Sequence, residues 1–543
     1  MHAFTLYCKV LSMNSVREIL LAALLVGVAA DALLRDGFQG VGFPLWVAVV
    51  LMATLALGRR DRRAVSAQAH GWLVAAVLAA TGLAWRAPSE LSALDFLATL
   101  LALGLAAISI GQREAAPIGA PFRVLVWAGG RVLRDVFVGA LPLAFHGLLA
   151  PGARDPASRR GWPLLRTMLI VVSLLAVFGS LLRAADPLFA SLLAIPDFDF
   201  GEVMVHLFLI GFFAWVFAGW SRGAFISSAT ASRPPARLPL SLGMTDMTAA
   251  LAALDALFTV FILAQLGWLF GGERFLQART GLTAAQYARA GFFQMVLVVA
   301  LGVPLLMATR ALADSGEATR RRHTRLAMPM IGLLLAMIAS AALRMRLYVN
   351  YFGLTTDRFY TLAIMAWLGV VLIWLAATTL RGRERHFIGG AIVAGYATLL
   401  VLNVLAPDHV VARVNVARAT ATTPVGGAPL DVAYLALLSG DAVPTTLSAL
   451  LAPLPARGAS ASERSTMEVE RCRAAERVQR RWGPASPTAA HAEQPTAWRR
   501  WNAGDARALK LVAASAAALR AVQHGSCAAA RLSGVVVPTR PYR

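Results

Sequence analysis

Three arginines close together in the chain are the first candidates for binding chemistry. Arg344, Arg346 and Arg358 lie within one stretch of fifteen residues. The planar guanidinium group donates paired hydrogen bonds to phosphate or carboxylate oxygens. The spacing therefore predicts a clamp for an anionic ligand, such as a lipid phosphate or a lipid-linked sugar. The alternative is that these arginines pair with Asp357 and with lipid headgroups and only fix the ends of helices.

Other side chains suited to anion binding lie in similar connections between apolar stretches. Tyr348 lies between Arg346 and Arg358. Tyr287 and Arg289 lie earlier in the chain, in the connection between the apolar stretches 250–270 and 291–309. Tyrosine hydroxyl groups donate hydrogen bonds, and arginine adds a further fork of donors. The candidate anionic-ligand or lipid-binding set is therefore Arg344, Arg346, Arg358, Tyr348, Tyr287 and Arg289.

Four polar side chains lie inside long apolar stretches or at their outer ends: Asp255, Asp95, Glu202 and Gln265. Charged groups are costly in lipid, so such residues are candidates for a proton or cation path. A path requires several acids that face one cavity, and Asp95, Asp255 and Glu202 are the only usable set. The alternative is that each acid is buried singly and hydrogen-bonded to a neighbouring helix.

Motifs of catalysis and metal binding are missing from the sequence. It has no GxSxG, GxxxxGKS, GxxxxGKT, HExxH or CxxC string, and no two of its nine histidines are three or four residues apart. The odd number of cysteines, with no paired spacing, predicts neither a disulfide framework nor a metal site. We therefore predict no catalytic residue, no metal and no cofactor. An acidic connection from Asp186 to Glu202 leaves open a divalent ion for sugar transfer, with solvated acids as the alternative.

Long apolar helices must position these residues. Of the 543 residues, 58% are apolar and 15% are charged, and the mean hydropathy is +0.63, which indicates an integral membrane protein. A helix needs about 20 mostly apolar residues to cross the hydrocarbon layer. We predict an all-α bundle of about eleven transmembrane helices. They cover residues 19–34, 41–58, 71–85, 91–111, 167–184, 203–220, 250–270, 291–309, 327–344, 360–379 and 387–405.

The basic residues are distributed unevenly along this bundle. The chain has 51 Lys and Arg against 29 Asp and Glu, a net charge of +22. With the amino terminus inside, 25 basic residues fall in predicted cytoplasmic segments, 9 in outer segments and 17 after residue 405. Basic residues are retained on the cytoplasmic side during insertion. We therefore predict a cytoplasmic amino terminus and an extracytoplasmic carboxy terminus, although one span more or fewer would move the carboxy terminus across the membrane.

The predicted organisation has five parts: four transmembrane helices over 1–111, a cytoplasmic or interfacial amphipathic segment over 112–166, a seven-helix membrane domain over 167–405, a small helical extramembrane segment over 406–455, and a tail rich in Ala, Arg and Pro over 456–543. The tail is predicted to be a small α-helical or disordered region. Within it we expect a low-complexity linker to about residue 496 and an Ala-rich helix over 504–523. Trp498 and Trp501 are expected at the membrane surface.

Several strings resemble a family of uncharacterised bacterial polytopic membrane proteins. They are ADPLFA (185–190), LFGG (269–272), QYARAGFF (286–293), RLYV (346–349), YFGLT (351–355), NVAR (415–418), DVAYL (431–435) and DAVP (441–444). Together they resemble the domain of unknown function family four-one-seven-three and its relatives over about residues 160–450. The resemblance implies a polytopic protein of the bacterial inner membrane, and it carries no assigned activity.

These features support three functional hypotheses. The first is a non-enzymatic inner-membrane component that binds lipid or protein partners through its extracytoplasmic face. The second is a transporter or lipid-substrate translocator, and the third is a membrane-embedded transferase acting on a lipid-linked substrate. The expected partners are membrane lipids, with other membrane proteins as a further class, and the oligomeric state is open. The basic carboxy-terminal residues lack the interleaved aromatics of a nucleic-acid-binding module, so no nucleic acid is expected as a partner.

Overall fold

Every element in the described part of the chain is helical. The computed structural model describes residues 13–60, 65–111, 117–144, 200–226, 243–280, 292–312, 316–420, 429–453 and 460–533, with seven scattered positions between 167 and 182. The α-helices, in chain order, are α1 (Met13–Leu34), α2 (Gly42–Arg60), α3 (Ala67–Trp85), α4 (Ser89–Gly111), α5 (Phe122–Val138), α6 (Ala140–Ala144), α7 (Phe200–Phe225), α8 (Met244–Thr280), α9 (Phe292–Leu312), α10 (Glu317–Phe352), α11 (Thr356–Leu380), α12 (Phe387–Leu405), α13 (Pro407–Thr420), α14 (Val432–Leu435), α15 (Val443–Leu451), α16 (Ala461–Trp482), α17 (Pro487–Ala492), α18 (Ala503–Ala514) and α19 (Ala516–Ser533). The predicted all-α class is confirmed.

Nine helices of the described residues are long and apolar enough to cross a membrane: α2, α3, α4, α7, α8 as far as Gln265, α9, α10, α11 and α12. Each coincides with one of the eleven predicted spans. The predicted first span lies within α1, a helix of 22 residues. The predicted span over 167–184 lies outside the described residues, apart from the scattered positions. The chain is thus a multi-pass membrane protein by the length and composition of its helices.

The membrane helices pack into two apolar cores joined by α12. One core is built from α1 to α4 with α6 and α7, and the other from α8 to α12. Gly27 lies where α1 crosses α7, and a methyl group there would overlap the carbonyl oxygen of Ile210. This is the close contact through a small residue that membrane helices use. Tyr396 of α12 crosses to the first core, where its hydroxyl group donates to the carbonyl of Ala98 at 2.5 Å.

Helix α5 has an apolar stripe that no described element covers. Phe122, Val126, Leu133 and Phe137 are each more than half exposed. At 100° per residue they fall within about 60° of the helix circumference. The opposite side carries Asp135, which is buried where α5 packs on α7. Helix α5 is therefore amphipathic, and the character of the whole segment 112–166 stays a prediction.

Residues 429–453 and 460–533 form a small helical domain with its own core, which we call the carboxy-terminal domain. Its core contains Val443, Leu447, Val478, Trp482 and Val512, and so joins helices from both sides of residue 455. The prediction of a low-complexity linker to residue 496 is wrong, because α16 and α17 occupy that stretch. Alanine and arginine are strong helix formers, and their abundance there favours a helix over a linker.

The carboxy-terminal domain also contains a disulfide, which corrects the prediction drawn from the cysteines. Cys472 of α16 and Cys527 of α19 are joined, with their Cα atoms 5.0 Å apart. The two residues are 55 positions apart, so sequence spacing alone does not reveal the pair. The cross-link fixes α19 against α16 at the far end of the chain.

Candidate functional site

One end of the membrane bundle meets the carboxy-terminal domain in a continuous polar interface. Helices α1, α3, α10 and α12 end there, and α2, α4, α7 and α11 begin there. We call this the junction end. Asp36, after α1, pairs with Arg499 of the domain at 3.2 Å, and the backbone amide of Val41 donates to the carbonyl of Trp501 at 3.1 Å. The domain therefore rests on the turn between α1 and α2.

Arg86 is the central side chain of the junction end. Its Nε donates to the carbonyl of Asn403 at 2.5 Å, and its Nη2 donates to that of Val404 at 3.3 Å. These are carbonyls of the last turn of α12, which has no helical donor for them. Its Nη1 lies 3.5 Å from Asp441 Oδ1 in the domain, and both side chains are buried. Arg86 thus caps α12 and joins α3 to the domain.

Asp441 and Asn502 complete this contact from the domain side. Asp441 Oδ2 accepts a hydrogen bond from the backbone amide of Ala87 at 3.2 Å. Asn502 Nδ2 donates to the carbonyls of Leu83 at 3.0 Å and Arg86 at 2.5 Å. The Oδ1 of Asn502 accepts from the amide of Gly504 at 2.8 Å, so the same side chain caps α18. The end of α3 is therefore bound by two separate segments of the domain.

A second contact holds the turn between α10 and α11. Gly353 has a φ of +83°, a conformation that favours glycine, and a side chain there would also meet Asn415. The side-chain amide of Asn415 accepts from the amide of Leu354 at 2.8 Å and donates to its carbonyl at 2.7 Å. Tyr434 Oη accepts from the amide of Thr356 at 3.0 Å. The strings YFGLT, NVAR and DVAYL thus meet at one turn, and the residues named in them act as docking contacts.

A buried acid lies one helical layer below Arg86. Asp95 is fully buried, and its Oδ1 accepts from Asn403 Nδ2 at 2.9 Å. Asp95 Oδ2 and Asn403 Oδ1 have no hydrogen-bond partner in the described residues. Both face Gly82, where a methyl group would overlap Asp95 Oδ2 and lie 2.9 Å from Asn403 Oδ1. Both oxygens are hydrogen-bond acceptors that lack a donor. A proton on Asp95, or a small donor placed between the two oxygens, would supply the missing hydrogen bond.

Burial shifts the titration of the charged groups around the junction. Burial raises the pKa of Asp408, against the hydrogen bonds from Ser439, whose amide donates to Asp408 Oδ2 at 2.8 Å. Burial also raises the pKa of Asp505, against the opposing charge of Arg481. The pKa of His409 is lowered, first by burial and then by Arg413. All three shifts favour the neutral form, as expected for groups removed from water between two packed domains.

The three predicted clamp arginines do not face one ligand. Arg344 is buried, and its Nη2 donates to Gln265 Oε1 at 3.1 Å. Arg346 is exposed, because residues two apart on a helix point to different sides. Arg358 donates to the carbonyl of Gly353 and lies 4.3 Å from the ring centroid of Tyr348. The alternative in which these arginines fix helix ends describes Arg358 well. Tyr287 and Arg289 lie outside the described residues.

The predicted intramembrane acids lie in different parts of the molecule. Asp95 is on α4 in the first half of the bundle, whereas Asp255 is on α8, which packs against α10. Glu202 is largely exposed at the junction end, 3.1 Å from Arg35. Beside that pair, His206 Nδ1 lies 2.7 Å from Asp31 Oδ2. The set Asp95, Asp255 and Glu202 therefore lines no shared path among the described residues.

Two further features involve α16, which occupies the stretch predicted to be a linker. Arg477, Arg480 and Arg481 of α16 line an open groove of 460 Å³. Their spacing of three and four residues is the signal that reveals them once a helix is assigned. Cys472, Glu476 and Cys527 have ligand atoms within 4.8 Å of one another. The two cysteines form the disulfide, so neither offers a thiolate to a metal.

Comparison with known proteins identifies the family but no activity. Neither a curated protein nor a solved structure matches the chain. The family number predicted from the short strings, four-one-seven-three, is wrong, although the kind of family, a domain of unknown function, is right. Residues 73–449 match the family described as Domain of unknown function (DUF4153), from α3 through the docked helices α13 to α15. The chain therefore belongs to the DUF4153 family.

Proposed function

We propose that this protein is a non-enzymatic membrane component that binds lipid or protein partners through the carboxy-terminal domain, held at the extracytoplasmic face. One observation carries the proposal: side chains of the family strings, such as Tyr434 and Asp441, are used to dock the domain onto the junction end. A domain fixed at three separate turns of a membrane bundle is suited to present a surface at the bilayer. It offers no activated nucleophile or base among the contacts described above.

Two arguments support an extracytoplasmic junction end. The distribution of basic residues puts the turns at 35–41, 86–88 and 353–355 on the side opposite the arginine-rich connections. The disulfide in the domain is an independent argument, because disulfides form and persist in oxidising compartments and are rare in the cytosol. Both arguments favour the same side of the membrane.

The proposal is tested by photocrosslinking in native membranes. Benzoylphenylalanine is placed at Leu437 or Trp498, both exposed on the domain, and at Phe208 of α7, which is exposed on a membrane helix. We expect a discrete protein or lipid adduct from Leu437 or Trp498 that is absent at Phe208. If both domain positions give only the adducts also found at Phe208, the domain presents no binding surface and the proposal fails.

A transporter is a second candidate, favoured by the buried Asp95. A carboxyl group with one unpartnered oxygen inside a bundle is suited to carry a proton or a small cation. This candidate predicts that Asp95→Asn abolishes proton or sodium flux in proteoliposomes. Asp255→Asn serves as the comparison, since Asp255 lies in the other half of the bundle. Absence of flux in the wild-type protein would exclude it.

A further inference from the structure

The groove on α16 has the composition of an anion site. Three of its lining side chains are Arg477, Arg480 and Arg481, and the remainder include Leu437 and Pro487, which are apolar. Each guanidinium group carries five N–H donors and matches the oxygens of a phosphate in a forked geometry. The groove therefore combines a basic wall with an apolar surface for the organic part of a ligand.

Two of the arginines are held in place by backbone contacts. Arg477 Nη1 donates to the carbonyl of Ala433 at 3.0 Å. Arg481 Nη1 donates to the carbonyls of Leu437 and Leu438 at 3.2 and 3.3 Å, and its guanidinium group lies 4.4 Å from the ring centroid of Trp482. Each uses Nη1 in these hydrogen bonds, so other N–H donors of each group remain for a ligand. Fixed donors lose less conformational freedom on binding than mobile ones.

The third arginine is held only weakly. Arg480 has a side chain that is 74% exposed, and its contacts are with Glu476, one turn earlier, at 3.7 Å between Nη2 and Oε2. Exposed ion pairs of this spacing contribute little to stability. Arg480 is therefore free to turn toward a ligand, while Arg477 and Arg481 form the fixed part of the site.

The groove lies close to the membrane helices. Leu437 is three residues after Tyr434, which accepts a hydrogen bond from the first residue of α11, Thr356. Three extended residues span at most about 10 Å. A group at the level of the lipid headgroups is therefore within reach of the groove.

We propose that this groove binds a phosphate-bearing ligand, taken either from the headgroup of an anionic lipid or from a soluble phosphate ester. The inference rests on the proposed function, because it names the ligand class for the same domain surface. It also replaces the predicted clamp of Arg344, Arg346 and Arg358 with a set of arginines on one helix face.

The test uses the full-length protein in a nonionic detergent at low salt. Binding of pyrophosphate, dioctanoyl phosphatidylglycerol and dioctanoyl phosphatidylcholine is measured by calorimetry. Arg480→Gln should weaken binding by about three- to tenfold, the loss expected for one charge-assisted hydrogen bond. Arg464→Gln is the matched control: it removes the same charge from an exposed position about 20 Å from the nearest groove arginine along α16. Its affinity should stay within about twofold of the wild type.

The outcomes separate the ligand sources. Binding of phosphatidylglycerol alone identifies a lipid headgroup, binding of pyrophosphate alone identifies a soluble ester, and binding of both supports the shared phosphate chemistry. Equal losses in Arg480→Gln and Arg464→Gln would mean general attraction to a basic surface and would overturn the site. No binding of either anion to the wild type also overturns it. The proposed function fails separately, through the photocrosslinking at Leu437 and Trp498.

Arg480→Lys provides a second variant. It keeps the positive charge but loses the forked hydrogen-bond geometry of the guanidinium group, so it should bind the phosphate ligand more weakly than the wild type.

Discussion

At the level of single residues, Gly82 shows how closely α3 must approach its neighbours. Its missing side chain leaves room for the buried oxygens of Asp95 and Asn403. The cost of a helical glycine relative to alanine is about 0.5–1 kcal/mol, so its presence here reflects the space required by Asp95. The oxygen atoms of one helix thus determine which residue another helix can carry.

We predict that Gly82→Ala destabilises the protein by about 1–3 kcal/mol, the range for overpacking a filled site. Gly71→Ala is the matched control on the same helix, because a methyl group added there would have no neighbouring atom within 4 Å. It should be neutral or stabilising by up to about 1 kcal/mol. The measurement is the thermal unfolding midpoint in detergent. The loss from Gly82→Ala should shrink in an Asp95→Ala background, and an undiminished loss would contradict the steric explanation.

A second residue-level prediction concerns Arg86. Arg86→Gln should destabilise the protein by about 3–5 kcal/mol, because it leaves the buried Asp441 without its cation. Arg60→Gln is the control, since Arg60 pairs with Glu18 in an exposed position; its effect should stay within about 0.5 kcal/mol. Adding Asp441→Asn to Arg86→Gln should recover part of the loss. Strictly additive losses would contradict a direct interaction between the two side chains.

The roles of some single residues could be predicted from the sequence, and those of others could not. Asp95 was identified as a buried acid because a charge in an apolar stretch is visible in the sequence. The partners of Arg86 were not visible, since Asn403 and Asp441 lie more than 300 positions away. The clamp of Arg344, Arg346 and Arg358 stays a prediction, and the sequence pattern did not show that Arg344 and Arg346, two apart on a continuous helix, point to different sides.

At the level of helices, α13 shows how docking changes titration. Asp408 stands in the first turn of α13, where a carboxylate is usually favoured by the helix dipole. Burial against the carboxy-terminal domain has the larger effect and raises its pKa. The neutral form therefore contributes stability that is fully present below the unfolded pKa, and this contribution is lost as the pH rises through the folded pKa.

We predict that Asp408→Asn becomes progressively more stable than the wild type as the pH rises from about 4. Asparagine keeps an acceptor for the amide of Ser439 and does not ionise. Asp408→Ala is the comparison, and it should be less stable than Asp408→Asn at every pH because that amide loses its acceptor. Unfolding midpoints at pH 5 and pH 8 measure the effect. A constant difference between Asp408→Asn and wild type across this range would contradict it.

Helix α5 leads to a prediction about the membrane interface. Its exposed stripe is expected to lie in lipid, since large apolar side chains otherwise face water without a partner. A bimane label at Leu133→Cys should show blue-shifted emission in nanodiscs, and a label at Arg134→Cys, also exposed but outside the stripe, should not. Both variants carry Cys8→Ser. Equal emission at both positions would indicate that the stripe does not contact lipid.

The prediction of a linker before residue 496 was wrong for a reason that concerns a single helix, α16. The stretch before residue 496 is rich in Ala, Arg and Pro, and that composition was interpreted as low complexity. The prolines, however, lie at Pro484, Pro487 and Pro495, beyond the end of α16, and the helix begins with a capping box of Ser460 and Glu463. Boundary signals of this kind predict α16 better than overall composition does. With α16 assigned, the arginine face would have been found from the sequence.

At the level of the whole molecule, the class was predictable and the assembly was not. Hydropathy is a local property, so nine spans of the described residues were found from the sequence. The two cores and the docked domain depend on contacts between distant segments, which no local pattern encodes. The family strings were recognised as a group, yet their shared role at the junction became apparent only when Asn415, Tyr434 and Asp441 were seen on neighbouring turns.

We predict that the domain is oxidised and faces outward in living cells. A membrane-impermeant maleimide should fail to label Cys472 and Cys527 until a reductant is added, and should then label both in intact cells. Cys8 should be labelled only after permeabilisation, because it precedes the first predicted span. Cys472→Ser with Cys527→Ser is the control for specificity. Labelling of the pair only after permeabilisation would place the junction end in the cytoplasm.

The residues that meet at the junction end are far apart in the sequence, and this separation has a consequence for how the chain is synthesised. Arg86 and the carbonyl of Leu83 are synthesised early, but their partner Asn502 follows more than 400 residues later. Domains generally fold as units in the order of synthesis, so α3 must enter the membrane with a cation and free carbonyls at its end. During translation, that end remains exposed to water or to assembly factors until the last helices arrive. A chain released early, without the residues after about 440, would lack both Asp441 and Asn502, so this end of α3 would keep none of its contacts with the domain.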